Sequence, residues 1–489
     1  MAKFDIDLVG KVGSLALIDK AYGDINYSTI ARISRELRPG MIWVTSGATE
    51  IGRLDFIKRT GRELTGSDED NKTDYSAQGQ SVLMGWYRQF VDSRFSLRQI
   101  LVEHQHFNDA EKREYLKKVL LRCPEEDAIP IINYNDAVCY EENRKMEIRA
   151  LMNEKKRAVE CVDNDETASQ IACLVNAKRL LILTSVNGIY TDISDENSLV
   201  REINGKNTEE LLKNIEEYRK FCHGASRSLA LIDKAYGDIN YSTIARISRE
   251  LRPGMIWVTS GATEIGRLDF IKRTGRELTG SDEDNKTDYS AQGQSVLMGW
   301  YRQFVDSRFS LRQILVEHQH FNDAEKREYL KKVLLRCPEE DAIPIINYND
   351  AVCYEENRKM EIRALMNEKK RAVECVDNDE TASQIACLVN AKRLLILTSV
   401  NGIYTDISDE NSLVREINGK NTEELLKNIE EYRKFCHGAS RKGANGAGAK
   451  LEYIKAPVEK GTEVIIANSK FSIRDILEGN VPATRIRVR

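Results

Sequence analysis

Phe4–Val9 alternates apolar and acidic positions with β-branched residues among them, which predicts a short strand, and Gly10-Lys11-Val12-Gly13-Ser14 then breaks the pattern with two glycines in a tight loop. Asn26-Tyr27-Ser28 opens an amphipathic stretch through Leu37 that reads as a helix stopped by Pro39-Gly40, and Met41–Val44 is an apolar run ending in Thr45-Ser46-Gly47-Ala48. The alternation continues with a helix near Tyr75–Phe90, a strand at Gln99–Val102, a helix at Asp109–Leu121 and a strand at Ile129–Ile132 that ends in Asn133-Tyr134-Asn135-Asp136. After a charged segment, Asp163-Asn164-Asp165 stands in the capping place of a helix over Glu166–Ala177; Leu180–Thr184 reads as a buried strand and Thr208–Phe221 as a helix. Near the end of the chain a glycine-rich loop from Lys442 to Lys450 leads into a helix through Glu459, then strands at Val464–Ala467 and Thr484–Val488. Strand and helix in alternation predict an α/β fold with helices on both faces of a parallel sheet. Ligands of such sheets gather at the carboxyl ends of the strands, where Ser46-Gly47, Asn133 to Asp136 and Ser185 to Gly188 all fall.

The pattern is read twice. Residues 14–227 recur letter for letter as 228–441, a period of 214 residues, far longer than the 20–50 residues of ordinary repeat proteins. Copy one carries the leading segment Met1–Gly13 and copy two the trailing segment Lys442–Arg489, so each lacks one end. Removing one copy restores a continuous sequence of 275 residues, a reasonable length for one large α/β domain. The expected lobes are 1–227, with the leading strand, and 228–489, with the C-terminal segment. A parallel sheet missing its first or last strands exposes an edge, so each half-unit is expected to be unstable or sticky.

Apolar residues make up 41% and charged residues 31% of the chain, with 8 prolines, which is the balance of a folded globular protein. A formal charge of −4 supplies no basic field for phosphate backbones, so no nucleic-acid partner is expected. No run of 18 apolar residues and no signal-like apolar segment occurs, which predicts a cytoplasmic protein without membrane contact. The 10 cysteines are five per copy, widely spaced, without C-x-x-C pairs or nearby His pairs; they read as reduced thiols, most of them buried, rather than a disulfide framework or a zinc site.

Glycine turns at strand ends let backbone N–H groups approach phosphate oxygens, and a nearby lysine adds charge. Gly10–Ser14 and Gly443–Lys450 have both ingredients, although by itself each is better explained as a structural turn, and neither fits the P-loop pattern because Leu451 follows Lys450. Asp163-Asn164-Asp165 is explained as a cap for one of its two acids; the pair could also orient a lysine or hold Mg²⁺. His104 and His106, two apart, would share one face of a strand and read as structural, since further metal ligands are missing.

Taken together, Lys11-Val12-Gly13-Ser14, Val44 to Ala48 and Pro130 to Val138 resemble the amino acid kinase superfamily, and within it the glutamate 5-kinases. Asp163-Asn164-Asp165 with Ser169, Leu181 to Thr184, Asn187 to Thr191, Gly443 to Leu451 and Ile465 through Gly479 continue the likeness in the same order. The resemblance implies a three-layer αβα sandwich around a mainly parallel sheet of about eight strands, its body duplicated in tandem here, and ATP-dependent phosphorylation of a small-molecule carboxylate such as glutamate, the chemistry that opens proline biosynthesis. It implies that Lys11 and Lys450 neutralise the transferring phosphoryl group and that Asp165, or Asp379 in copy two, orients them. Ser46, Gly47, Asn133, Asp136, Asp163 and Asn164, with Ser260, Asn347, Asp350, Asp377 and Asn378 in copy two, would face the amino acid. Gly10, Gly13, Ser14, Thr184, Ser185, Gly188 and Tyr190, with Thr398, Gly443, Gly446 and Gly448, would face the nucleotide, with Mg²⁺ between the phosphates and no metal held by protein side chains alone. A nucleoside monophosphate kinase of the same superfamily is the alternative acceptor chemistry.

The chain also departs from the family. Tyr134 stands where the family has an acid, Ser185 where it has an aspartate, and Gly443 to Lys450 differs from its G-T-G-G-M-x-T-K loop. Cys139–Glu160 is longer and more charged than expected and would overhang the acceptor site, and an RNA-binding module of the kind some glutamate 5-kinases carry is not expected. One leading strand and one tail allow at most one complete site per chain. Residues 1–227 could fold with 442–489, which keeps the first loop intact, or residues 1–13 with 228–489; chain-closure entropy penalises either insertion mildly, about 0.6 kcal/mol per doubling of loop length. The first is the preferred complete arrangement. Two incomplete lobes forming an inactive pseudo-dimer are the state connectivity reaches most easily, and a homo-oligomer is the other association expected.

Overall fold

The computed structural model describes residues 6–19, 24–139, 141–155, 158–159, 163–183, 189–190, 198–204, 210–211, 241–353, 355–369, 372–375, 378–406, 409–434 and 447–489. In the first copy five parallel strands, β1 (Leu8–Val12), β2 (Met41–Thr45), β3 (Ser96–Val102), β4 (Ala128–Tyr134) and β5 (Leu180–Leu183), form one sheet in the order β3-β4-β2-β1-β5. Helices α1 (Tyr27–Glu36), α2 (Ala48–Thr60), α3 (Asp68–Phe90), α4 (Ala110–Arg122), α5 (Glu141–Lys155) and α6 (Asn164–Val175) intervene. One apolar layer, with Val12, Ile30, Trp43 and Leu83, fills the sheet's α1 and α3 face; another, with Val9, Ile42, Leu116 and Ile171, fills the α4 and α6 face. This is the αβα order.

The first strand differs from its sequence reading. β1 runs through Gly10 and Lys11 to Val12 rather than ending at Val9, because both neighbours pair with it, Leu8 to Val12 opposite Met41 to Thr45 and Val9 to Val12 opposite Leu180 to Leu183. Gly10 is required by packing: a Cβ there would lie 2.0 Å from the Trp43 ring. Helix α2 was not expected; its sequence has weak periodicity, and Gly47 starts it in the left-handed region at φ 90°. The charged segment after Cys139, for which no element was expected, contains helix α5.

The second copy has α7 (Tyr241–Glu250), β6 (Trp257–Val258), α8 (Ala262–Thr274), α9 (Asp282–Phe304), β7 (Ser310–Val316), α10 (Ala324–Arg336), β8 (Ala342–Tyr348), α11 (Glu355–Lys369), α12 (Asn378–Val389), β9 (Arg393–Thr398), β10 (Glu416–Gly419) and α13 (Thr422–Arg433). The tail adds α14 (Ala447–Tyr453), α15 (Lys455–Glu459), β11 (Glu463–Asn468), α16 (Ile473–Glu478) and β12 (Ala483–Val488). Apart from a short hairpin of Ile403–Tyr404 on Leu413–Val414, its described strands form two sheets, β6-β8-β7 and β9-β11-β12-β10, divided where the twin of β1 would stand. Among the described residues neither copy forms the eight-stranded sheet expected of one domain. The preferred arrangement, 1–227 folded with 442–489, is not the one formed: β11 pairs in parallel with β9, Leu394 opposite Val464, while among the described residues β5 has β1 as its one neighbour and leaves Leu180, Leu181 and Ile182 each 41% exposed.

The two lobes meet through the same surface used twice, the signature of a two-fold interface. Buried Arg98 reaches Asp288 at 3.0 Å and Arg312 reaches Asp74 at 2.9 Å; Arg122 and Arg336 close on the same aspartates at 2.5 Å. Tyr115 bonds Thr287 and Tyr329 bonds Thr73, both at 2.6 Å. Along the seam the Gln105 amide donates to Glu103 and Glu317 at 3.2 and 3.5 Å, and Gln319 does so at 3.4 and 3.3 Å, which brings two buried carboxyls together.

Burial, and then the charge of Glu103, pushes the Glu317 carboxyl up to about 8, so the pair holds one proton at neutral pH. A solvated Glu titrates near ~4.3. The stability this proton confers is therefore complete below that value and lost as pH rises through about 8. Asp55 works in the opposite sense: burial opposes its charge, yet Arg302 and Arg59 hold it at about 2, so its contribution is lost only as pH falls towards that value. Urea midpoints should decline from pH 5 to 8.5, and Glu317→Gln should flatten that decline; an unchanged slope would remove the shared proton from the account.

Candidate functional site

The strand order brings the carboxyl ends of β1, β2 and β4 and the N-terminus of α6 to one end of the first lobe. Lys11, on β1 between Val44 and Ile182, is 0% exposed and pairs with Asp165 at 2.7 Å. A cation this buried persists only with such a partner. Asp165 lies in the first turn of α6, and Asp163 is that helix's cap, its Oδ1 accepting the Asp165 and Glu166 N–H groups at 2.9 Å each. The two acids therefore divide their tasks, one ordering the helix and the other facing a lysine.

On the side expected to face the acceptor, the Asn164 amide donates to Asn133 Oδ1 at 3.1 Å, and Asn133 donates to Gln80 Oε1 at 2.7 Å. Ser76 holds Asp136 at 3.2 Å, and the Ser46 N–H donates to Val12 O at 3.3 Å. Gln80 and Ser76 come from the long helix α3 and were not singled out in the sequence. Both lie within the continuously buried middle of that helix, where an unbroken polar pair gives no periodic signal. Gln80 Nε2 is buried without a partner among the described residues.

Gly13 and Ser14 follow β1 at the nucleotide side of the expected site, with the Gly13 N–H on Leu183 O at 2.9 Å and Ser14 buried. Gly10 faces Trp43 from inside the strand, so it is a packing residue and not part of a phosphate loop. The backbone of Tyr190 sits in a short hairpin, Ile189–Tyr190 on Leu199–Val200. Thr184, Ser185, Gly188, Asp377, Gly443 and Gly446 lie outside the described residues.

The second lobe repeats part of this arrangement. Asn347 donates to Gln294 at 2.8 Å, and Ser290 holds Asp350 at 3.2 Å, whose carboxyl burial pushes up against the pull of Lys286 and Arg358. Asn378 opens α12, Ser260 is exposed beyond β6, and the Thr398 hydroxyl turns onto Val400 O at 2.8 Å. Gly448 is the second residue of helix α14, and Lys450 of the same helix pairs with Asp379. Each aspartate thus holds one lysine, Asp165 taking Lys11 and its twin Asp379 taking Lys450. The two lysines are in different lobes.

The remaining sequence candidates serve the scaffold. His104 and His106 are not on a strand: His104 caps the short helical turn after β3 and His106 lies within it, where His104 meets Glu147 at 2.6 Å and burial holds His106 down to about 4 so that its Nδ1 accepts the Glu103 N–H at 2.8 Å. Helix α5 is anchored by Arg144 over the Tyr134 ring at 5.4 Å and by Glu147 on Lys326 of the other lobe at 2.9 Å. Cys123, Cys337, Cys375 and Cys387 are buried free thiols. Among the described residues no group of three or more His, Cys, Asp or Glu side chains is placed to hold a metal ion, and no helix is long and apolar enough to cross a membrane.

Comparison with known proteins matches the model of the amino acid kinase family twice, at residues 8–224 and 230–468. A glutamate 5-kinase of Alkaliphilus metalliredigens (strain QYMF) is 29% identical over 261 residues, 51% of this chain and 88% of its own length. Glutamate 5-kinase 2 of Pseudoalteromonas translucida (strain TAC 125) is 29% identical over 238 residues, 47% of this chain and 57% of that one. A glutamate 5-kinase of Streptococcus suis (strain 05ZYH33) is 29% identical over 248 residues, 48% of this chain and 61% of that one, so the chain spans less than two thirds of the latter two.

Proposed function

The chain belongs to the amino acid kinase family, and from that premise we propose that its lobes divide between them one ATP-dependent kinase site for the carboxylate of a small amino acid such as glutamate. The observation that carries this reading is the pairing of Lys11 with Asp165 and of Lys450 with Asp379 in separate lobes. A carboxylate acceptor is already ionised and needs no general base, so the protein's tasks are to position the reactants and to neutralise charge on the transferring phosphoryl group. Asn133, Asn164 and Asp136 would orient the amino acid, Lys11 or Lys450 would meet the phosphoryl oxygens, and Mg²⁺, where ATP brings it, would bridge those phosphates. Each lobe then has one of the two cations, and loss of one preorganised charge costs on the order of 10²–10³ in rate.

The glutamate 5-kinases among the relatives support glutamate as the acceptor. Tyr134, buried where the family has an acid and hydrogen-bonded to Cys139 at 3.2 Å, bears on the choice of amino acid. Incubating the chain with ATP, Mg²⁺, hydroxylamine and a panel of acceptors should yield slow glutamyl hydroxamate with matching ADP. Phosphorylation of uridylate without hydroxamate would replace this reading by a nucleoside monophosphate kinase.

A further inference from the structure

In the first lobe β1 lies between β2 and β5, parallel to both, with α6 packed across it. The second lobe contains the same walls in the same sequence, β6 and β9, and α12 packs on β6, β8 and β9 as α6 packs on β2, β4 and β5. One helix therefore spans both of its sheets, yet among the described residues no strand joins them. The wall is correspondingly opened: Met255 to Val258 are half-buried, while their twins Met41 to Val44 are buried. Because the two sequences are identical, the difference lies in what the described residues place around the strand and not in its own side chains.

The open place keeps the features that select β1. Trp257 still donates to Tyr301 at 2.7 Å, as Trp43 does to Tyr87 at 3.0 Å, so the indole that admits only a glycine opposite it is held in position. Asp379 stands at its carboxyl end with Lys450, as Asp165 stands with Lys11. The residues that precede Ser228 keep the glycine of the strand that precedes Ser14 but not its apolar and basic positions: Cys222-His223-Gly224-Ala225-Ser226-Arg227 replaces Leu8-Val9-Gly10-Lys11-Val12-Gly13, and Ala225 takes the place of the lysine.

We propose that the second lobe is a strand-accepting site, and that its occupant is the leading strand of a second copy of this chain, residues Ile6 to Gly13, inserted between β6 and β9 in the register β1 has in the first lobe. Main-chain hydrogen bonds to both walls supply affinity and the glycine opposite Trp257 supplies register, as in other strand additions. Insertion brings Lys11 to Asp379 and Lys450 and so completes the kinase site; this catalytic consequence rests on the function proposed above, whereas the binding does not.

The test uses the full chain and a fluorescent peptide of its first 13 residues, MAKFDIDLVGKVG. Saturable 1:1 binding is expected, with a Gly10→Val peptide weaker by about tenfold or more, the scale of an overpacking penalty. Trp257→Ala in the chain should restore binding of the Gly10→Val peptide, and Trp43→Ala should not, which places the site in the second lobe. The unmodified peptide should also raise hydroxamate formation by roughly 10²-fold, and a Lys11→Ala peptide should bind without doing so. Absence of saturable binding, indifference to Gly10→Val, or rescue by Trp43→Ala overturns the strand site. Binding without any gain in phosphotransfer upholds the site and overturns the kinase reading.

Discussion

Removing residues 228–441 should raise phosphotransfer to glutamate by on the order of 10²–10³ over the full chain. The shortened chain runs from Arg227 directly into Lys442 and keeps Lys11, Asp165 and Lys450 in one unit. In the full chain β11 pairs with β9, whose sequence is that of β5, so the same register becomes available to Leu180–Leu183 once the competing copy is gone. The exposed residues Leu180, Leu181 and Ile182 would then be covered as Leu394 and Ile396 are now, at 8% and 4% exposure. Both lysines would meet Asp165, and the second preorganised charge supplies the gain. Steady-state kcat/KM with ATP and glutamate decides it: equal values for the two chains would mean that the split lysines do not limit the reaction. The shortened chain should also sediment as a dimer, since the surface its two copies share within one chain would now be presented by two chains.

Asp74→Ala and Asp288→Ala should each destabilise the full chain by about 3–5 kcal/mol, the cost of leaving a buried cation without its partner. Asp288 is 0% exposed and is held by Arg98 at 3.0 Å and by Arg122 through two bonds of 2.5 and 3.0 Å; Asp74 has the same contacts from Arg312 and Arg336. Glu126 remains beside Arg98 at 2.6 Å and softens the loss, so the lower part of the range is expected if it takes over the charge. Urea unfolding monitored by tryptophan fluorescence gives the quantity directly, and a change under 1 kcal/mol in either variant would mean that these ion pairs do not hold the lobes together.

The elements of this protein were legible because their causes are local. Alternation and apolar runs marked β2, β4 and β11, and a capping aspartate marked α6; the helices that went unread, α2 and α5, are those whose apolar spacing is weak or whose charge is dense. The site was legible in part: Lys11 and Asp165 are far apart in sequence but each belongs to a recognisable strand end or helix start, whereas Gln80 lies within a buried polar stretch of α3 that announces nothing.

Sequence by itself determined that one body is present twice, that its halves each lack an end, and that two lysines and two aspartates must be shared out. Which edge takes the tail was decided by tertiary structure. β5 and β9 offer identical side chains and identical backbone groups, so no local pattern can distinguish them, and the outcome follows from chain connectivity: β9 belongs to the copy that runs on into the tail, while β5 is separated from it by the whole second copy. The same holds for Gly10, whose neighbours in sequence suggest a loop and whose neighbours in space, Trp43 and Leu181, make it a strand.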